Sequence, residues 1–172
     1  TGLTPGFVAV GSGNTLVAVA GRNFVPGARV LIEGAIAETR YVSETQLEAQ
    51  VPQAQLGFAR ALQLTVRNPD GKTSAARALT VGEPLRITAI ELPAGVVGLA
   101  YRYAFRATGG VPDYRWTTDS ALPAGLTLSP EGVLSGTPTG PPGTTALLVR
   151  VTDTAGNTER AQAPLVIESA DL

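Results

Sequence analysis

Apolar and polar residues alternate along most of this 172-residue chain, and a period of two marks strands buried on one face only. In "LQLTVRNPDGKTSAARALTV", Leu62, Leu64 and Val66 fall on one face and Gln63, Thr65 and Arg67 on the other. "NPDG" then supplies a turn, and Leu79 and Val81 return inward, which together predict a hairpin. The same layout recurs in "ALLVRVTDTAGNTERAQAPLVI": Leu147, Val149 and Val151 share a face, "DTAGN" turns the chain, and Leu165 and Ile167 close the pair. Upstream, Val17 and Val19 point inward before Gly21 breaks the strand, and Val30 with Ile32 enters the next one after the Pro26-Gly27 turn. The pattern leaves no place for a helix.

Each hairpin closes a stretch close to the roughly 100 residues of an immunoglobulin-like sandwich. Two domains are therefore expected, 1–82 and 83–172, with the boundary in "VGEPL" and a fresh strand at "LRITAIEL". So short a linker, with one dihedral held by Pro84, predicts a limited range of angles between them.

Composition agrees with an all-β fold, since 20 Gly and 13 Pro suit many short strands and punctuated turns. The absence of Cys removes disulfides and thiolate metal sites, and the absence of His removes the commonest general base and metal ligand. Net charge is −1, and the 13 basic residues are scattered; without a basic stripe, nucleic acid is not an expected partner. Residues 1–82 carry +2 and residues 83–172 carry −3. No apolar run reaches the roughly 18 residues of a membrane span, so no membrane insertion by this segment is expected. With no Met, the chain is expected to be a processed protein or an excised segment.

Four groups of residues invite a chemical reading. Ser135, in "LSGTP", resembles a nucleophile on a sharp turn, but such a serine needs an adjacent base and a strand-to-helix elbow. Asp153 and Asn157 in "DTAGN", and Asp70 in "NPDG", offer oxygens to calcium; a calcium site needs six or more, and fewer are near in sequence. Asp113, Asp119 and Glu131 lie in one region, although nothing singles out a pair of them for acid–base work. Trp116 with Tyr114, and Tyr101, Tyr103 and Phe105, form either an aromatic platform for sugar stacking or a sandwich core. Alternation favours the core, because it puts Arg102, Arg106 and Arg115 on the opposite, solvated face. Tyr41 and Phe58 are the freer aromatics, and so the candidates for ligand contact.

In the first half, "VAVAGRNFVPGARVLIEG", "YVSETQLEAQVP" and "LTVRNPDGKTS" resemble the IPT/TIG family over residues 1–82, an immunoglobulin-like fold shared by plexins and some transcription factors. Phe24, Val30, Leu64 and Val66 then read as packing positions. In the second half, Leu92-Pro93, Tyr101, Gly109-Gly110, Tyr114, Trp116, Gly125-Leu126 and Ser135-Gly136-Thr137-Pro138 resemble the putative Ig family of bacterial surface proteins, cadherin-like in outline, over residues 85–169. That resemblance implies that "GLTLSPEGVLSGTP" is a pair of short strands around an "SPEG" turn. Leu126, Leu128 and Leu134 would then be buried, with the Ser135 and Thr137 hydroxyls satisfying backbone groups. Tyr101, Tyr103, Phe105, Tyr114, Trp116, Leu126, Val149 and Val151 complete the expected core.

The two resemblances imply a non-catalytic module of a bacterial protein, extracellular or on the cell surface, serving as spacer, adhesion or assembly unit. Its partners would be other domains of a larger surface protein, another protein or a glycan. Two alternatives stand beside this: an accessory carbohydrate-binding module of a secreted polysaccharide-degrading enzyme, and a self-associating subunit of a surface fibre built through sheet edges. No cofactor is expected, apart from the calcium already weighed.

Overall fold

In the computed structural model, which describes residues 2–88 and 90–170, the period of two becomes strand structure in two units divided between Pro84 and Leu85. The first unit runs through β1 (Gly2–Thr4), β2 (Phe7–Ala9), β3 (Thr15–Ala20), β4 (Arg29–Ile32), β5 (Ala35–Ile36), β6 (Thr39–Ser43), β7 (Gln46–Val51), β8 (Arg60–Arg67) and β9 (Arg77–Gly82). One sheet has the order β1-β3-β7-β6 and the other β2-β9-β8-β4-β5. The N-terminal strand is thus shared out: β1 runs antiparallel to β3, while β2, beyond the cis Thr4–Pro5 bond, runs parallel to β9. Between the sheets lie Val17, Val19, Phe24, Val30, Leu47, Leu62, Leu64, Val66, Leu79 and Val81, all buried. A 3-10 turn, Gln53–Gln55, precedes the buried Leu56.

The second unit repeats the plan with β10 (Arg86–Ile87), β11 (Gly95–Val96), β12 (Tyr101–Ala104), β13 (Ala107–Thr108), β14 (Arg115–Thr118), β15 (Leu126–Leu128), β16 (Val133–Gly136), β17 (Gly143–Thr152) and β18 (Thr158–Glu168). Its sheets are β11-β18-β17-β14 and β12-β16-β15, with β10 and β13 as a separate pair. The strand expected across "LRITAIEL" is shorter than its apolar pattern. Among its described residues Arg86 and Ile87 pair with β13, the Thr88 N–H donates to the Arg106 carbonyl at 3.0 Å, and the chain next pairs at β11, parallel to β18. The first strand divides between partners here as it does in the first unit; Ala89, in the middle of the stretch, lies outside the described residues.

Tyr101, Phe105, Trp116, Leu126, Leu134, Leu147, Val149, Val151, Leu165 and Ile167 form the second core. Tyr103, Tyr114 and Leu128 pack against it half-buried, which corrects the expectation that they are buried outright. The Tyr114 phenol stays at the rim because it donates a 2.7 Å hydrogen bond to the Gly109 carbonyl. The Tyr103 ring meets Phe105 edge-on at 5.0 Å.

The "DTAGN" turn closes with the Asp153 N–H donating to the Asn157 carbonyl at 3.0 Å. Counting back along the β17–β18 register from that bonded pair, alternate pairs are bonded and Ala146–Pro164 is a non-bonded one. The Pro164 nitrogen therefore faces away from β17, toward the outer edge of β18, where β11 covers only Ile167 and Glu168. Proline is tolerated at such an edge, and it denies the edge a donor.

Candidate functional site

The glycines of "AGLTLSPEGVLSGTP" explain its shape. Gly136 has φ 140° and Gly125 φ 89°, and a β-carbon on either would overlap backbone across the hairpin, at Gly125 in one case and Thr137 in the other. The Thr137 N–H donates to the Gly125 carbonyl at 3.1 Å. Ser135 therefore sits in mid-strand, paired with Arg102 on one side and Thr127 on the other, and not at an elbow. The hydroxyls that serve the backbone are those of Ser129, which accepts from the Val133 N–H at 3.3 Å, and Thr127, which donates to the Ser135 carbonyl at 3.4 Å. Sequence reasoning assigned that work to Ser135 and Thr137; in the structure it falls to Thr127, directly across the hairpin from Ser135, and to Ser129 in the turn.

Under the "SPEG" turn lies Trp116. Its backbone N–H donates to the Pro130 carbonyl and that of Phe105 to the Gly132 carbonyl, both at 2.8 Å. A β-carbon on Gly132 would sit 2.7 Å from the indole. The turn is a lid pressed on the ring, and Phe105 stacks on the indole at 5.3 Å and 26°.

Asp153 is the one buried charged residue among those described, 5% exposed. Its carboxylate accepts from the Val111 N–H, the Asn157 N–H and the Asn157 side-chain amide, each at 2.8 Å. Burial works against its charge, but the bonds from the Asn157 side chain and from the Val111, Asn157 and Ala155 backbone outweigh burial and hold the carboxyl below the usual range. Its lone pairs are thus committed to knotting the Gly-Gly loop to the β17–β18 turn. Asn157 turns its amide N–H₂, a donor, toward that carboxylate, which is not how a second calcium ligand would point. At the other turn, Asp70 accepts the Lys72 N–H at 3.0 Å and pairs with the Lys72 ammonium at 3.1 Å; these bonds lower its pKa.

Of the three carboxylates read together, two meet and one leaves. Asp119 lies against Arg150 (2.6 Å) and Arg160 (3.3 Å) on the β17–β18 sheet. Asp113 and Glu131 line a cleft of about 570 Å³ whose wall is aromatic, formed by Phe105, Tyr114 and Trp116. Thr88, Arg106 and Thr108 bring hydroxyls and a guanidinium from the β10–β13 side. The Ser129 hydroxyl, the backbone of Glu131 itself and nearby Arg115 hold the Glu131 carboxyl below the usual range, so it is ionised at neutral pH. A second hollow of about 340 Å³ adjoins the first, sharing Asp113 and Tyr114 and continuing to Arg115, Thr152 and Thr154.

The two aromatics expected to be free differ. Tyr41 packs half-buried on the first core, because alternation along β6 turns Arg40 and Val42 outward instead. Phe58 is 60% exposed, with the Arg60 guanidinium 4.7 Å above its ring.

Family models match almost the whole chain: the IPT/TIG domain over residues 1–81 and the Putative Ig domain over residues 83–168. The chain belongs to these two families, in tandem. Solved structures similar to it include an I-band fragment of titin, with 16% identity over 95% of this chain and 62% of that one and a TM-score of 0.49. Sidekick-1 immunoglobulin domains 1–4 show 15% identity over 96% of this chain and 46% of theirs, TM-score 0.49. A putative alpha-galactosidase from Bacteroides fragilis shows 21% identity and a TM-score of 0.40; the match covers 50% of this chain and only 17% of that protein's length. No curated protein matches the chain.

The cleft belongs wholly to the Putative Ig unit. Sequence reasoning grouped Asp113 with Glu131 and Tyr114 with Trp116 without joining the two groups, and it missed Thr88, Arg106 and Thr108 as their neighbours, since β10 and β13 come together only in the fold. The one sequence signal for them was the outward phase of Arg106 against Phe105.

Proposed function

We propose that the chain is a non-catalytic structural or adhesion module of a larger bacterial protein, extracellular or on the cell surface. The observation that carries this reading is how the reactive-looking groups are used: Ser135 lies in mid-strand, Asp153 is saturated by N–H donors, and Asp119 is held by two arginines. Each serves the sandwich. Two modules from immunoglobulin-like families in series support the same reading, since the fold presents surfaces and spacing, and chemistry needs a site grafted onto it. None of the described helices is long and apolar enough to cross a membrane.

The spacer form is favoured over a self-assembling fibre by the edges. Pro164 blunts β18, and a bulge between Tyr41 and Ser43 interrupts β6. Sedimentation and light scattering over a concentration series, with and without calcium, test this. A monomer at every concentration, indifferent to calcium, is the expected outcome; growth of the particle with concentration would favour the fibre subunit.

A further inference from the structure

We propose that the double hollow around Tyr114 binds a neutral oligosaccharide chain, laid across the Tyr114 ring with sugar units on both sides. The inference goes beyond the spacer reading, which stands whether or not it succeeds.

Both hollows, at about 570 and 340 Å³, fall in the roughly 300–1,000 Å³ of ligand pockets. Tyr114 and Asp113 line both, so they form the ridge between them. Trp116 and Phe105 are 4% and 6% exposed and form a floor with little free ring face. Tyr114, half-buried, is the aromatic left for stacking, and its bond to Gly109 fixes the ring before any ligand arrives.

Around that ring the polar groups alternate in kind. Asp113 and Glu131 accept, Arg106 donates, Thr108 does either, and Thr88, whose hydroxyl hydrogen goes to the Arg106 carbonyl at 3.1 Å, accepts in the larger hollow. In the smaller, Arg115 donates, Thr152 does either, and Thr154, whose hydroxyl hydrogen goes to the Pro112 carbonyl at 2.8 Å, accepts. A pyranose matches this set: its C–H face suits an aromatic ring, and its vicinal hydroxyls both donate to carboxylates and accept from guanidinium. With both signs of charge present, no net charge on the ligand is demanded. The shared ridge is the reason to expect a chain of sugars, since a monosaccharide fills one hollow and leaves the other empty.

Trp116 is the only tryptophan and lies in the cleft floor, so its fluorescence reports occupancy. The intact chain is titrated with cellohexaose, laminarihexaose and maltohexaose, with glucose and with an oligolysine peptide, and the fluorescence is checked by calorimetry. At least one hexasaccharide is expected to shift the emission and to bind more tightly than glucose. Tyr114→Ala should weaken that binding about ten-fold, the loss of one aromatic contact, whereas Tyr114→Phe should retain most of it. Asp113→Ala, at an exposed position, should weaken it without altering the melting temperature, and it decides the matter if Tyr114→Ala unfolds. Four results would each overturn the inference: silence with every sugar, equal affinity for glucose and hexasaccharide, binding indifferent to the Asp113 substitution, or a response to oligolysine alone. The mass measurements that test the spacer reading are independent of all four.

Discussion

Asp153 shows how one side chain can look like a ligand and act as a joint. Its carboxylate takes three N–H donors from two loops, and leaving such donors buried and unpaired costs about 1–3 kcal/mol each. Asp153→Asn, which turns an N–H₂ toward some of those donors, should destabilise the second unit by about 2–3 kcal/mol in urea unfolding. The acid response follows from the lowered carboxyl. The native state holds this proton less tightly than the unfolded chain, whose value is near 3.9. The stabilisation is therefore complete above that value and is lost as pH falls through it toward the native one. Stability measured from pH 6 down to 2 should fall more shallowly in Asp153→Asn, and an unchanged slope would contradict the assignment. The carboxylate itself was legible in "DTAGN"; its partner Val111 was not, because it lies 42 residues away in the chain.

At the scale of the element, the "SPEG" hairpin depends on close backbone approach. Gly136→Ala places a β-carbon onto the Gly125 carbonyl at a φ that L-residues rarely adopt, and should cost about 3 kcal/mol of second-unit stability. Gly57→Ala, where nothing lies within 4 Å, is the matched control and should cost almost nothing in the same melts. The β18 edge supports a different kind of test. Pro164→Val restores an outward N–H on the side of β18 where, among the described residues, β11 pairs only with Ile167 and Glu168, so light scattering should show stronger association than in the parent chain. The hairpins themselves were readable from the alternation of Leu62, Leu64 and Val66 and of Leu147, Val149 and Val151. The two-residue pairings β10–β13 and β11–β18 were not, since so short a strand has no period to read.

For the whole molecule, the two cores share no residue, so a defect in one core belongs to one unit. Leu134→Ala removes a fully buried side chain and should lower the unfolding transition of the second unit by about 2–5 kcal/mol. Hydrogen exchange in the first unit should be unchanged at Val17, Val30 and Leu64, and loss of protection there would mean that the units unfold as one.

The sequence alone determined the fold class, the two-family order and most of the core, because strand burial is written locally: alternate residues along the buried stretches of β3, β8, β17 and β18 had to be apolar, and glycine had to stand where backbone meets backbone. Tertiary structure alone decided which polar residues became neighbours. It sent Asp119 to Arg150 and Arg160, brought Asp113 and Glu131 to one cleft, and placed Arg106 and Thr108 beside Tyr114. Those encounters depend on which strands pair across a sheet and on how far a turn leans over a ring, and no local pattern of burial encodes either.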